Sequence, residues 1–128
     1  MYSFLALVTI GLAAFSGTEA ATATNCAGRR YTANDMSLCY REACQWAPRQ
    51  GPGGYPHNFG NYERLDFGPY TNSRTLREYP LRLGGRYTGG APGADRCVVH
   101  RDPNTQRCTN IGAMTHTGAA QRNGFVRC

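Results

Sequence analysis

Apolar and polar positions divide the chain into three patterns. From Leu5 to Phe15 it is apolar almost without interruption. Further on, Met36, Cys39, Tyr40, Ala43, Cys44 and Ala47 recur at steps of 3, 4, 7, 8 and 11, which lie on one face of a helix. Thr32-Ala33-Asn34-Asp35 supplies capping side chains just before that stretch, so one helix is predicted over Met36 to Trp46. Pro48 to Gly54 then breaks it with two Pro and three Gly. The remainder reads as short strands, Tyr55 to Phe59, Leu76 to Leu83, Asp95 to His100 and Ile111 to Thr115, separated by Gly/Pro/Asn clusters. One helix followed by several strands predicts an α+β domain, with the helix packed on one face of a twisted antiparallel sheet.

The first apolar run is too short to cross a hydrocarbon core, which takes roughly 20 residues. Followed by Ser16, Gly17 and the small residues Ala20 to Ala23, it has the order of a secretory signal, although no Lys or Arg precedes it. Residues 1–20 are therefore expected to be a signal peptide and residues 21–128 the mature domain, destined for the extracellular space. No N-x-S/T acceptor occurs, so N-glycosylation is not expected.

Strand phase brings chemistry into view. Side chains alternate faces along a strand, so Tyr55 with His57, Leu76 with Glu78, Arg96 with Val98, and Met114 with His116 each share a face. If the helix covers the face of Cys97, Val99, Ala113 and Thr115, then His57, Glu78, Arg96 and His116 converge on the opposite, open face. A carboxylate, two imidazoles and a guanidinium suit phosphoryl transfer: a base, an acid, and a fixed positive charge for the phosphate.

Charge and cysteine content narrow the setting. All 14 basic residues are Arg and the formal net charge is +6, which favours an anionic partner. Guanidinium groups pair bidentately with phosphate and stack on bases, so nucleic acid suits this composition. Six cysteines, Cys26, Cys39, Cys44, Cys97, Cys108 and Cys128, all fall after the signal and predict three disulfides. No Cys or His spacing fits a zinc site, and no metal is expected. Cys39 and Cys44 lie about 7.5 Å apart along a helix axis, too far for a bond between them without unwinding. Cys97 faces the helix, so it is expected to bond Cys39 or Cys44, with Cys108 taking the other. A Cys97 to Cys108 bond across the hairpin is the rival.

Four blocks occur in order: Tyr55-Pro56-His57-Asn58-Phe59-Gly60-Asn61-Tyr62-Glu63; Glu78-Tyr79-Pro80; Gly89-Gly90-Ala91-Pro92-Gly93-Ala94-Asp95-Arg96; and Thr115-His116-Thr117-Gly118-Ala119 with Asn123-Gly124-Phe125-Val126-Arg127-Cys128. Together they closely resemble the small secreted guanyl-specific ribonucleases of fungi, over essentially the whole mature chain. The resemblance implies a monomeric endoribonuclease acting on single-stranded RNA without metal or cofactor and without binding a membrane. Glu78 would take the 2′-hydroxyl proton and His116 would protonate the leaving 5′-oxygen, giving a 2′,3′-cyclic phosphate that is later hydrolysed. His57 would assist the base, Arg96 would face the phosphate, and Tyr55 and Phe125 would complete the catalytic set. Pro56 matches a cis proline, and Cys26 would pair with Cys128.

By the same resemblance, Glu63 would accept from the guanine edge and Asn61 and its neighbours would offer backbone groups. Tyr62 would cover the base, Phe59 would stack beneath it, and Asn123 would make the remaining contact. Phe59 stands where tyrosine is common, and Gly60 replaces a polar residue, which is expected to loosen the loop. RNA carries its own nucleophile, so the residue set agrees with this chemistry. Two other readings are weighed beside it. A ribonuclease-like effector or toxin would use the same site on a host's RNA, but the absence of Lys counts against ribosome-inactivating forms with Lys-rich loops. A stapled binding module would have no reason to keep the six catalytic-type residues together.

Overall fold

The computed structural model describes residues 21–128. The expected signal segment, residues 1–20, lies outside the described residues.

The chain opens with a hairpin of two short strands, β1 (Thr24–Cys26) and β2 (Arg29–Tyr31), paired antiparallel. The helix follows as α1, Ala33–Gln45. It begins where the capping residues require: the Thr32 hydroxyl accepts from the Asp35 N–H, and the Asp35 carboxylate accepts from the Thr32 N–H, both at 3.0 Å. Met36, Cys39, Tyr40 and Ala43 are buried as their spacing predicts, whereas Ala47 lies past the helix end and is exposed. Two polar residues share that buried face. Asp35 also accepts from the Gly84 N–H at 2.9 Å, and Glu42 accepts from Trp46 Nε1 at 3.2 Å.

After a 3-10 turn at Pro52–Gly54, five strands form one antiparallel sheet in simple sequence order: β3 (His57–Phe59), β4 (Leu76–Pro80), β5 (Asp95–Arg101), β6 (Cys108–Thr115) and β7 (Val126–Arg127). The α+β architecture and the helix on one face are as expected. The helix starts three residues before Met36 and ends one before Trp46, β5 runs one residue past His100, and three sheet boundaries differ by more than one residue. β3 starts at His57, because Pro56, joined to Tyr55 by a cis peptide bond, has no N–H to enter a ladder. β4 ends at Pro80 instead of Leu83, and β6 starts at Cys108, three residues before Ile111, because a bulge at Val98/Val99 lets the pair continue.

Cys97, Val99 and Ala113 face α1 and form one core with Met36, Cys39, Tyr79 and Tyr87. Packing around Tyr87 is close enough to demand glycine at position 53: its φ is +63° and a Cβ there would lie 2.1 Å from the Tyr87 hydroxyl. The opposite sheet face is not open, as alternation alone implied. Leu76, Val98 and Met114 are fully buried there beneath Phe59, Phe67 and Phe125, a second core that supports the polar groups beside it. Three disulfides staple the layers: Cys26–Cys128 joins the chain ends, Cys39–Cys97 joins helix to sheet, and Cys44–Cys108 joins the helix end to the start of β6. Cys97 thus bonds a helix cysteine, and the rival hairpin bond is absent.

Candidate active site

The four residues that strand phase placed together do share one face of the sheet. His57 on β3 stands directly opposite Glu78 on β4, and β5 brings Arg96 beside them. Arg96 Nε donates to Glu78 Oε1 at 2.9 Å, and Nη2 donates to the Tyr55 hydroxyl at 3.2 Å. Its third nitrogen, Nη1, donates to the Gly93 carbonyl at 2.8 Å and that of Asp95 at 3.0 Å. The Arg96 side chain is 4% exposed, so its position is set by these bonds and not by solvent. The GG-x-PGADR block therefore has a structural function: its turn returns carbonyls that hold the Arg96 fork.

Glu78 lies in a setting that favours the neutral form. Burial raises its pKa to about 6, although Arg96 pulls the other way through charge and hydrogen bond. A carboxyl poised there exchanges its proton near neutral pH. His57 stacks on Tyr55 with ring centroids 3.8 Å apart, and burial, with Arg49 and Arg96 adding repulsion, holds its pKa below the usual imidazole range. A neutral imidazole thus sits beside the Glu78 strand position.

His116 enters from the end of β6. Its backbone N–H donates to the Ala94 carbonyl at 2.9 Å, and Nδ1 lies 2.7 Å from the Gly124 carbonyl. A carbonyl only accepts, so Nδ1 carries hydrogen and Nε2 is left for proton transfer. Phe125 stacks against the ring at 3.9 Å and meets Phe59 edge-on at 5.7 Å. Tyr55, His57, Glu78, Arg96, His116 and Phe125 are therefore one connected cluster.

Beside it opens a cleft of about 570 Å³, bounded by Phe59, Tyr62, Glu63, Glu78, Asn123 and Phe125. Gly60 also lines it. A Cβ at Gly60 would come within 2.7 Å of the Tyr62 ring, so glycine here lets the ring lie close to the loop backbone. The loop is not loosened by it: the Asn61 amide donates to the carbonyls of Leu65 at 3.0 Å and Thr71 at 2.9 Å, and its oxygen accepts from the Leu65 N–H at 2.8 Å. Asn61 is buried, its side chain is spent on the loop, and its carbonyl accepts from the Arg64 N–H at 3.0 Å. Glu63 Oε2 accepts the Phe125 N–H at 2.7 Å. Gln121, Arg122 and Gly124 complete the cleft wall and were not anticipated. Their signal was adjacency to the Asn123-Gly124-Phe125 block. Among the described residues, no group of three His, Cys, Asp or Glu side chains could hold a metal ion.

A small disulfide-stapled α+β domain, with a carboxylate, two imidazoles and a guanidinium on a five-stranded sheet, defines a class of nucleic-acid-cleaving proteins. Comparison with known proteins agrees. A family model described as ribonuclease matches residues 19–128. Guanyl-specific ribonuclease F1 of Fusarium fujikuroi is 41% identical over 84% of this chain and 77% of that protein. Extracellular guanyl-specific ribonuclease Fl1 of Gibberella baccata is 41% identical over 83% of this chain and 95% of that protein. Among solved structures, the ribonuclease He1 of Hericium erinaceus is 34% identical, with a TM-score of 0.55 over 83% of this chain and 97% of that one. The chain belongs to this ribonuclease family.

Proposed function

We propose that the protein is a secreted endoribonuclease that cleaves single-stranded RNA after guanosine, by transphosphorylation to a 2′,3′-cyclic phosphate and subsequent hydrolysis. The observation that carries this reading is the pairing of a buried, Arg96-held carboxyl raised to about 6 with an imidazole whose Nδ1 is fixed by Gly124. Glu78 takes the 2′-hydroxyl proton, and the resulting oxygen attacks the adjacent phosphorus. His116 gives its Nε2 proton to the departing 5′-oxygen. Arg96, with the aromatic faces of Tyr55 and Phe125 5.5 and 5.9 Å from its guanidinium carbon, supplies a fixed cation at the phosphate. His57 supports the base. In the second step the roles reverse, with water as nucleophile and His116 as base.

The cleft over Phe59, bordered by Tyr62, Glu63 and Asn123, receives the guanine. Its N1–H and amino group are donors and Glu63 is the acceptor at hand; adenine has no matching pair. Secretion is supported by the three disulfides, which persist in oxidising compartments, and residues 1–20 are proposed as the leader.

The test is cleavage of GpC and ApC dinucleotides with chromatographic identification of products, in the presence of EDTA. Guanosine 2′,3′-cyclic phosphate accumulating before the 3′-phosphate, with GpC strongly preferred, supports the reading. Equal rates on the two, or no cyclic product at any time, refutes it.

A further inference from the structure

Tyr62 is 94% exposed, an unusual setting for so large a ring. It borders the base cleft, and it also borders a second cleft of about 530 Å³ on the other side of the loop, with Arg64, Thr71, Asn72, Ser73 and Arg74. That volume is of ligand-binding size. The proposed catalytic groups do not reach it: Glu78 lines the first cleft and not the second.

The second cleft is held in shape. Asn61 ties the loop to Thr71, Arg64 Nη1 donates to Asn72 Oδ1 at 3.1 Å, and the Ser73 hydroxyl lies 2.8 Å from His100 Nδ1. Its charge is one-sided, with two guanidinium groups in the lining and no carboxylate. Arg74 is exposed and makes no ion pair or side-chain hydrogen bond among the described residues. Two arginines around a polar cleft with an exposed aromatic wall call for an anion carrying a flat ring, which is the chemistry of a nucleotide.

We propose that this cleft is a subsite for the nucleotide on the 5′ side of the guanosine, with its phosphate between Arg64 and Arg74 and its base against the outer face of Tyr62. The inference rests on the base-cleft reading above. The scissile phosphate, 3′ of the guanosine, belongs to Glu78, Arg96 and His116, so the 3′ strand is taken up on that side. The 5′ strand leaves on the other side, where Tyr62 separates the two clefts. Stacking on one ring face reads no sequence, so any base serves at this position. Binding here is equal in ground and transition states, and its effect falls on KM.

The experiment measures kcat/KM for GpC, pGpC and UpGpC at low salt, with the full mature protein and with Arg74→Gln and the double variant Arg64→Gln/Arg74→Gln. UpGpC is expected to be cleaved about 5- to 10-fold more efficiently than GpC, mostly through KM, with pGpC between them and the gain shrinking as salt rises. Arg74→Gln reduces the gain and the double variant abolishes it, while both cleave GpC at the parental rate, which also reports that they are folded. Equal efficiency on GpC and UpGpC in the parent, or an undiminished gain in the double variant, overturns the proposal. The GpC to ApC ratio, measured in the same series, tests the base-cleft reading separately.

Discussion

Glu63 and Phe125, 62 residues apart, are joined by a 2.7 Å hydrogen bond from the Phe125 N–H to Glu63 Oε2. Through it the carboxylate proposed to read the base also anchors the segment whose aromatic ring backs His116. The loop and the catalytic edge are thereby one mechanical unit.

Removing that carboxylate has two separable effects. Glu63→Ala is expected to lower the GpC to ApC rate ratio by about 10²-fold or more, since a guanine edge left facing no acceptor loses its advantage. It also frees the Phe125 N–H, so cleavage of ApC slows by a smaller factor. Glu63→Gln keeps an oxygen for Phe125 and restores the ApC rate but not the ratio. Paired dinucleotide kinetics on the three proteins check this, and an unchanged ratio in Glu63→Ala would remove Glu63 from base reading.

His116 is the second target. With Nδ1 held by Gly124, only Nε2 is available to protonate a leaving oxygen, and among the described residues no other imidazole follows β6 at that edge of the sheet. His116→Ala is expected to lower kcat on RNA by about 10²-fold or more, the usual range for a lost general acid. Circular dichroism and thermal unfolding like the parent's confirm that the variant is folded. A near-parental rate in such a protein contradicts the assignment.

How far the chain could be read in advance depended on the length of each signal. α1 was legible because an apolar face and a capping box fall in consecutive turns, and the site because three strand-borne residues share one phase with His116, which directly follows β6. The β1–β2 hairpin and β7 have three residues or fewer per strand, too few for any period to show. The second core was missed because Phe67 comes from a segment with no strand pattern, yet it covers Leu76, Val98 and Met114. Helix phase could not choose between Cys39 and Cys44. Their partners follow from position along the helix: Cys39 lies at mid-helix, where its sulfur is 3.4 Å from the Tyr79 carbonyl, and Tyr79 pairs with Cys97. Cys44, more than a turn later, reaches Cys108 at the far end of the β5–β6 ladder.

Glu78 links activity and stability through one pKa. Burial raises it to about 6 from 4.5, with Arg96 opposing, so kcat/KM on GpC is expected to rise with pH through about 6 as the base ionises. For folding the sign is the reverse. A carboxyl that binds its proton more tightly when folded loses stability for the protein as pH rises from the unfolded to the folded value. Glu78→Gln, neutral throughout and still able to accept from Arg96 Nε, is therefore expected to be more stable than the parent at pH 7 by about 1–2 kcal/mol, and no more stable below about pH 4. Urea unfolding at both pH values measures this. A Glu78→Gln protein less stable than the parent at pH 7 would show that the Arg96 pair outweighs the burial of the carboxylate.

Arg29 was not foreseen, because its partner lies 66 residues away. Its Nε donates to Asp95 Oδ2 at 2.6 Å, and Nη2 donates to Asp95 Oδ1 at 2.8 Å, Thr115 Oγ1 at 3.3 Å and Thr117 Oγ1 at 2.9 Å. One guanidinium thus grips both neighbours of His116. Burial works to raise the Asp95 pKa, but hydrogen bonds from Arg29, Thr115 and Tyr31 outweigh it and hold the carboxyl below its usual range. Asp95 is 2% exposed, so Arg29→Ala leaves a buried charge short of its main partner. The variant is expected to be less stable than the parent at pH 7, by less than the loss of a fully buried pair because the Arg29 side chain is 39% exposed. A group with a lowered folded pKa contributes stability above its unfolded value of about 4 and loses it as pH falls, so the difference between variant and parent narrows toward pH 3. Arg29→Lys keeps the charge but not the fork to both threonines, and is expected to recover most of the stability while kcat on GpC stays reduced. Urea unfolding at pH 7 and pH 3, with GpC kinetics on both variants, decides it: full kcat in Arg29→Lys would confine Arg29 to stability and leave His116 positioned by Ala94 and Gly124 alone.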